Sequence, residues 1–242
     1  MKNVDKIVLA SVLSMVTFSS VNAAEFDSSA NVTLSSDYVF RGISQTNEDP
    51  AIQGGFDLAS DSGWYAGVWA SNVGFGTGST EADLYLGYTH QLTNDWAVDF
   101  GAIRYLYPSG NGPGADFNYN EVYTNVSYKS FTISAVYSDD YFGTGVDRFY
   151  YLAGDYEYSV SEALSLNAHL GLNKFDSSED LTRFLGAAPT SSDNYLDWSF
   201  GMTYQLTNRI AASLNYIDTD IREQSCINIC DSRFTASLTA SF

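Results

Sequence analysis

The stretch YLDWSFGMTYQL, from Tyr195 to Leu206, is the clearest indication of the fold. Every second residue from Leu196 to Leu206 is apolar or aromatic, and the residues between them, such as Asp197, are mostly polar or small. Strict alternation over about ten residues is the length and pattern of a tilted transmembrane β-strand. One face of this segment therefore suits lipid and the other suits water.

The same alternation recurs along the chain, most clearly in Phe234–Phe242, Leu164–Leu172 and Ala82–Tyr88. It predicts an all-β protein, a transmembrane antiparallel up-and-down β-barrel of about twelve strands. The strand from Trp96 is the least regular, and we expect a β-bulge near Ala102 where its apolar positions change phase. The predicted strands are 30–41, 50–60, 63–73, 81–92, 96–107, 119–129, 131–141, 148–160, 164–175, 194–206, 210–219 and 232–242.

The links between these strands alternate in length. Short links at 60–63, 93–95, 129–130, 161–163 and 207–209 are interleaved with longer polar links at 42–49, 108–118, 141–147, 176–193 and 220–231. Bacterial outer-membrane barrels have short periplasmic turns at one rim and long loops at the other. An even number of strands then places both ends of the mature chain at the short-turn rim.

The two ends of the chain carry their own signals. Lys2 and Lys6 form a short basic region before an apolar run from Ile7 to Phe18, and a small-residue cleavage pattern ends at Ala23. The run is shorter than the ~20 residues of a membrane-spanning helix, so residues 1–23 are predicted to be a signal peptide and 24–242 the barrel domain. Phe242, after alternating apolar residues, resembles the signal that the barrel-assembly machinery reads, and we expect that machinery as a partner.

Composition supports a strand-rich membrane protein. The chain has 18 Tyr, 15 Phe and 4 Trp, and aromatic residues favour strands and membrane interfaces. The formal net charge of −18 argues against a nucleic-acid partner, because phosphate binding requires clustered Lys and Arg. Outer-membrane lipid and small hydrophilic solutes are the expected partners, with no cofactor and no metal.

Cys226 and Cys230 are the two cysteines of the chain and lie in one polar segment. Export to an oxidising compartment would allow a disulfide between them. Because the closed loop is very small, we expect a local clip on a surface loop with little effect on the whole fold. A redox motif is disfavoured by the spacing, and a metal site by the lack of a nearby histidine.

Four segments in the first third of the mature chain are distinctive: SDYVFRGISQT at 36–46, PAIQGGFD at 50–57, GWYAGVWASNV at 63–73 and EADLYLGY at 81–88. Together they resemble the TorF-type porin family of Gram-negative bacteria, a conserved family of unknown function. The resemblance implies an outer-membrane barrel assigned as a porin by analogy. It implies no settled substrate and supplies no established binding residues.

The water-facing positions carry more acidic than basic residues, and a lumen lined by carboxylates favours cations. The first hypothesis is therefore a passive diffusion channel for small hydrophilic solutes or ions, with a mild cation preference. Each carboxylate could equally be a solvated residue with no selective role. The charged residues of this face are Asp37, Arg41, Asp57, Glu81, Asp83, Asp99, Glu121, Lys129, Asp197 and Arg233.

Arg41 is the most distinctive candidate for a functional residue in the lumen, because basic residues are scarce and it lies beside Gly42 at the end of the first predicted strand. A planar guanidinium suits bidentate pairing with a carboxylate. Arg41 could form an ion pair inside the lumen, or it could hold an anionic group of a solute at the mouth. The recurrent glycines within strands are assigned to bends or to close packing of aromatic rings.

Two alternatives belong to other classes. A lipid-modifying enzyme would need a histidine near a nucleophile, and the chain offers His90 on the lipid-facing side and His169 on the water-facing side near Ser165 and Asn167. No nucleophile motif accompanies either histidine. A plugged structural or adhesive barrel is the other alternative, since inward tyrosines could fill the lumen of a barrel of this size. Those tyrosines are Tyr65, Tyr85, Tyr123 and Tyr195.

Overall fold

The computed structural model describes residues 26–74, 79–108, 117–186, 188–226 and 228–242. The predicted signal peptide, residues 1–23, lies outside the described residues. The strands are β1 (Phe26–Ser35), β2 (Val39–Phe40), β3 (Ile43–Ser44), β4 (Ala51–Ser60), β5 (Trp64–Asn72), β6 (Thr80–Gln91), β7 (Trp96–Leu106), β8 (Tyr119–Tyr128), β9 (Phe131–Ser138), β10 (Phe149–Ser159), β11 (Leu164–Phe175), β12 (Asn194–Gln205), β13 (Ile210–Thr219) and β14 (Arg233–Ser241). One α-helix, α1 (Ser178–Leu185), lies in the link between β11 and β12.

Twelve of these strands form one closed antiparallel barrel. Neighbours in sequence pair with each other from β4 to β14, and β1 closes the ring by pairing with both β4 and β14. The predicted fold class is confirmed. Among the described residues, no helix is long and apolar enough to cross a membrane.

The alternation in the sequence sorts the side chains as predicted. Large apolar residues such as Leu34, Phe56, Leu84 and Phe100 are exposed on the outside of the barrel. A continuous exposed apolar surface of this kind indicates contact with lipid. Near the short turns, aromatic rings pair on the outside, as in Trp96 and Tyr128, whose centroids are 4.6 Å apart.

The first strand differs from the prediction. β1 ends at Ser35, and the alternating segment after it turns into the barrel and forms the separate two-stranded sheet β2–β3. Arg41 and Gly42 have φ angles of 49° and 80°, as the two central residues of a type I′ hairpin turn require. The period-two pattern is the same in a wall strand and in a hairpin, so the sequence alone did not separate them.

The predicted bulge near Ala102 is wrong. Ala102 pairs with Leu86 on one side and with Val122 on the other, in a ladder without interruption. Ile103 and Tyr105 are apolar because they face an aromatic core inside the barrel, rather than because the strand changes phase.

Glycines inside the strands accommodate tyrosines of the neighbouring strand. Gly87 lies directly opposite Tyr65, and Gly101 lies opposite Tyr123. A Cβ atom at either glycine would collide with the tyrosine ring. Of the two roles predicted for the strand glycines, close packing of aromatic rings is the one observed at these positions.

Candidate functional site

The interior of the barrel is divided by the segment 36–49, which we name the lumenal hairpin. It leaves the wall after β1, carries β2 and β3, and returns to the wall at β4. Ile43, Ser44, Gln45 and Thr46 are all buried. A Cβ atom on Gly42 would collide with Thr219 and Asp197, so the tip of the hairpin lies against the walls formed by β12 and β13.

Arg41 fixes the tip of the lumenal hairpin to another part of the wall. Its two terminal nitrogens donate to the two carboxylate oxygens of Glu121 at 2.7 and 2.9 Å. The two side chains are 6% and 2% exposed, so this ion pair is almost dry. Burial opposes the charged form, but the Glu121 carboxylate outweighs it and raises the pKa of Arg41 well above its usual range.

Aromatic rings surround the same guanidinium. The Arg41 Cζ lies 4.5 to 5.4 Å from the ring centroids of Phe40, Tyr141, Phe149 and Tyr151. Such positions allow cation–π attraction, which is strongest where water is excluded. Of the two roles predicted for Arg41, the geometry corresponds to an ion pair inside the lumen.

Asp37 anchors the base of the lumenal hairpin. Its carboxylate accepts hydrogen bonds from Ser44 Oγ at 2.6 Å, Thr46 Oγ1 at 2.7 Å and Arg233 Nη1 at 3.1 Å. Arg233 also lies 3.4 Å from Glu48. Asp37 and Arg233, both predicted on the water-facing side, are therefore paired with each other and almost buried.

The disulfide between Cys226 and Cys230 is confirmed, and it lies in a loop whose residues Glu223, Asn228 and Asp231 are exposed. Both cysteines are buried, because their loop lies over the lumenal hairpin. The Ile229 carbonyl accepts a hydrogen bond from Ser44 N at 2.8 Å, and the Cys230 carbonyl accepts one from Thr219 Oγ1 at 2.9 Å. The disulfide loop is thus part of the cap over the lumen.

The half of the interior next to the long links is named the outer lumen, and it is filled with aromatic rings. Tyr105 stacks on Tyr119 at 4.3 Å, and Tyr141 stacks on Phe149 at 3.7 Å. Phe184 of α1, in the link between β11 and β12, packs against Phe175. The buried aromatic residues of this region are Tyr105, Tyr107, Tyr119, Tyr141, Phe142, Phe149, Tyr151, Phe175 and Tyr195.

Two of the predicted carboxylates belong to this filled region. Glu81 and Asp83 occupy adjacent inward positions on β6, and both are buried. Glu81 Oε1 accepts a hydrogen bond from Tyr38 of the lumenal hairpin at 3.2 Å. Burial and the nearby carboxylates raise the pKa of Tyr38, so its hydroxyl stays a hydrogen-bond donor. The hairpin therefore contacts acidic wall residues on β6 as well as on β8.

The half of the interior next to the short turns is named the inner lumen, and its predicted carboxylates are held by tyrosines. Asp57 accepts a short hydrogen bond from Tyr85. Asp99 accepts hydrogen bonds from Tyr65 at 3.1 Å and from Asn125 at 3.0 Å. Both carboxylates are buried.

His169 faces the lumen, as predicted, and joins two acidic residues. Its Nδ1 lies 2.6 Å from Asp155, and its Nε2 lies 3.0 Å from Asp197 and 2.8 Å from the Tyr151 hydroxyl. Asn167, proposed as a possible neighbour, donates instead to Asn215 at 3.1 Å. Both ring nitrogens of His169 are therefore engaged in this network. His90 is exposed on the outside, as predicted. Lys129 lies in the predicted short link at 129–130, 3.9 Å from Asp95, and not on the lumen wall.

The inner lumen also contains side chains that sequence analysis missed. Asp155 and Glu157 point inward from β10 and are partly exposed. Both alternate on the same face of β10 as Phe149 and Tyr151, and this alternation could have identified them from the sequence. The strands that follow around the barrel, β11–β14, carry small hydroxyl side chains that are also partly exposed. These are Ser165, Ser199, Thr203, Ser213, Ser237 and Thr239. Across the described residues, no cluster of His, Cys, Asp and Glu is arranged to hold a metal ion.

Solved structures of outer-membrane porins share this architecture. The KdgM porin in complex with disordered oligogalacturonate is 9% identical, with a TM-score of 0.57 over 88% of this chain and 99% of that chain. The NanC porin is 14% identical, with a TM-score of 0.56 over 88% of this chain and 98% of that chain. At these identities the likeness shows the fold alone.

The search of curated proteins finds no match. The porin-like fold implied by the sequence resemblance is confirmed, whereas the TorF-type assignment stays a prediction. The model of an uncharacterised family, described as bacterial protein of unknown function (Gcw_chp), matches residues 20–242. The chain therefore belongs to the Gcw_chp family and has a porin-like barrel.

Proposed function

We propose that the protein is an outer-membrane diffusion channel for small hydrophilic solutes or ions, closed at its outer end by the lumenal hairpin. The inner lumen supports this proposal, because its wall of small hydroxyl side chains keeps partly exposed positions inside the barrel. The lumenal hairpin, which forms part of the barrier beyond it, is a segment of a loop and not part of the wall. A loop can move while the hydrogen bonds of the wall stay intact.

A mild cation preference is part of the proposal. Asp155 and Glu157 are the partly exposed acidic side chains on the inner wall at β10, and carboxylates facing a pore attract cations. The neighbour KdgM is described with oligogalacturonate, a polyanion. We expect this channel to exclude that class of solute, because its lumenal carboxylates would repel it.

The remaining parts of the proposal concern biogenesis and place. The exposed apolar belt supports insertion into a bilayer. We propose export through the signal peptide at 1–23 and assembly through the C-terminal strand that ends in Phe242. The long links then face outward from the cell and the short turns face the periplasm.

A plugged barrel without conductance is the second candidate. The packing of the outer lumen favours it, because rings such as Tyr119, Tyr141 and Phe149 are fully buried. The two candidates differ in what holds the barrier. A channel needs a barrier that can leave, whereas a structural plug serves only to stabilise the barrel.

Planar-bilayer recording of the refolded full chain distinguishes them. We expect rare discrete openings from the wild type and frequent openings from Arg41→Ala. In a salt gradient, the reversal potential should show that cations are more permeant than anions. Lys129→Ala, which removes an exposed cation from a short turn, is the matched control and should behave as the wild type. Silence from both the wild type and Arg41→Ala, with folded barrels in the membrane, would establish the plugged barrel.

A further inference from the structure

Basic residues are gathered on one sector of the outer surface, and no lumenal function uses them. The sector spans β7 to β11 at the rim of the long links, and we name it the outer-rim basic patch. The patch residues on β7–β9 and β11 point outward from the wall, and Arg148 is the residue immediately before β10. The patch consists of Arg104, Asn120, Tyr137, Arg148, Tyr150 and Lys174.

Contacts and direct strand pairing link the side chains of the patch in two neighbouring groups. Arg104 Nη1 donates to Asn120 Oδ1 at 3.2 Å across β7 and β8. The rings of Tyr137 and Tyr150 are 5.2 Å apart across β9 and β10, and Tyr150 is paired directly with Lys174 on β11. Four interstrand spacings of about 4.8 Å give the patch a width of about 19 Å.

The patch gathers basic side chains in a chain whose formal net charge is −18. Among the described residues, the outward positions at the same rim on β4–β6 and β12–β14 carry no Lys or Arg, and β13 carries Asp218. Arg104 has no acidic partner within the described part of the chain. A cation facing outward beside an apolar belt is unfavourable unless it lies at the depth of polar headgroups.

The other two cations have acidic partners that can be exchanged. Arg148 lies 3.0 Å from Asp176, and Lys174 pairs with Asp193. All four side chains are more than a third exposed, and exposed ion pairs contribute little to stability. A stronger or multivalent anion at the rim can therefore displace these carboxylates.

We propose that the outer-rim basic patch binds the phosphate groups of an anionic glycolipid in the surrounding leaflet. Arginine binds phosphate with two parallel hydrogen bonds, and lysine binds it as a point charge. Tyrosines at the edge of an apolar belt present a ring to acyl chains and a hydroxyl to headgroups. The orientation of this rim toward the outer leaflet rests on the proposed function, whereas the patch itself lies outside the lumen and does not depend on conduction.

Native mass spectrometry of the intact barrel tests the proposal, with diphosphorylated lipid A as the ligand and its dephosphorylated form as the comparison. We expect the triple variant Arg104→Gln/Arg148→Gln/Lys174→Gln to bind lipid A about tenfold more weakly, since each cation near an anionic surface contributes to binding. Arg104→Gln alone should weaken binding by a smaller factor. Lys129→Gln, at the opposite rim, should leave it unchanged.

The controls separate the outcomes. Heat-modified mobility on gels confirms that each variant is a folded barrel, and the bilayer conductance should be the same for the triple variant and the wild type. Equal binding by the triple variant and the wild type, or equal binding of the dephosphorylated lipid, would overturn the proposal. Displacement by millimolar inorganic phosphate would also overturn it, because it would indicate a site for free phosphate.

Discussion

The outer lumen and the inner lumen are enclosed by the same barrel wall, but the outer lumen is packed with buried aromatic rings and the inner lumen has partly exposed polar side chains. In the outer lumen, Arg41 of the lumenal hairpin lies among stacked aromatic rings and pairs with a dry Glu121. In the inner lumen, hydroxyl groups such as those of Thr203 and Ser213 lie 2.9 Å apart on a partly exposed surface. One alternating pattern therefore encloses both a packed outer lumen and a partly exposed inner lumen, and the segments contributed by the loops determine which is formed.

The outer lumen depends on contacts between distant parts of the chain. The Tyr195 hydroxyl donates to the Arg41 carbonyl at 3.2 Å, and Ser44 N donates to the Ile229 carbonyl at 2.8 Å. The inner lumen depends mostly on neighbouring strands, as in the pair Thr203 of β12 and Ser213 of β13. Disturbing the hairpin should therefore change the outer lumen and leave the inner lumen and the wall unchanged.

The largest effect is expected from Arg41→Ala. Removing one partner of a buried ion pair leaves the other charge uncompensated, at a cost of about 3–5 kcal/mol. We expect the hairpin to leave the outer lumen, so a cysteine reporter at buried Gln45 becomes labelled on the order of a hundredfold faster by a maleimide. The native cysteines are disulfide-bonded and do not react. An unchanged labelling rate in Arg41→Ala would show that the ion pair does not hold the hairpin.

A smaller effect is expected from Gly42→Ala. The left-handed conformation costs an alanine about 1–2 kcal/mol, and the added Cβ also collides with Thr219 and Asp197. We expect labelling at position 45 to rise by about tenfold. Gly186→Ala is the matched control, because Gly186 has a φ of 67° but no neighbouring atom within 4 Å of the added Cβ. Equal effects of the two substitutions on the reporter would contradict a close fit of the hairpin tip.

Removal of the disulfide should have a still smaller effect. In Cys226→Ser/Cys230→Ser, the loop that accepts the Ser44 hydrogen bond is less constrained, so labelling of the reporter should rise a few-fold. The melting temperature of the barrel should hardly change, since the bond joins residues only four positions apart. Calorimetry checks the second expectation, and a large decrease in melting temperature would mean that the disulfide supports the wall itself.

The smallest effect concerns the inner lumen. Glu157→Gln removes a partly exposed negative charge, so the reversal potential in a potassium chloride gradient should move a few millivolts toward the anion side. Asp57→Asn removes the same charge from a buried position held by Tyr85 and should move it less. A larger shift from Asp57→Asn would place the selective charge at the tyrosine-bound carboxylates instead.

Alternation predicted the wall because it depends on local geometry alone. Successive side chains of a strand point to opposite faces, so the pattern assigns Phe200 to the outside and Asp197 to the inside without knowledge of the rest of the chain. The pattern carries no information about how much water reaches an inward residue. Asp57 and Asp99 were therefore placed on the correct face, and the structure shows them buried and hydrogen-bonded to tyrosines.

Residue patterns were enough to predict the barrel, its two faces, the short and long links and the cysteine pair. Three features arise only in the folded barrel. The segment after Ser35 turns inward, Arg41 meets Glu121 eighty residues away, and the disulfide loop accepts a hydrogen bond from Ser44 of the lumenal hairpin. The physical reason is that a strand pattern repeats every two residues, whereas a lumenal barrier forms from contacts between distant residues that exist only once the barrel has closed.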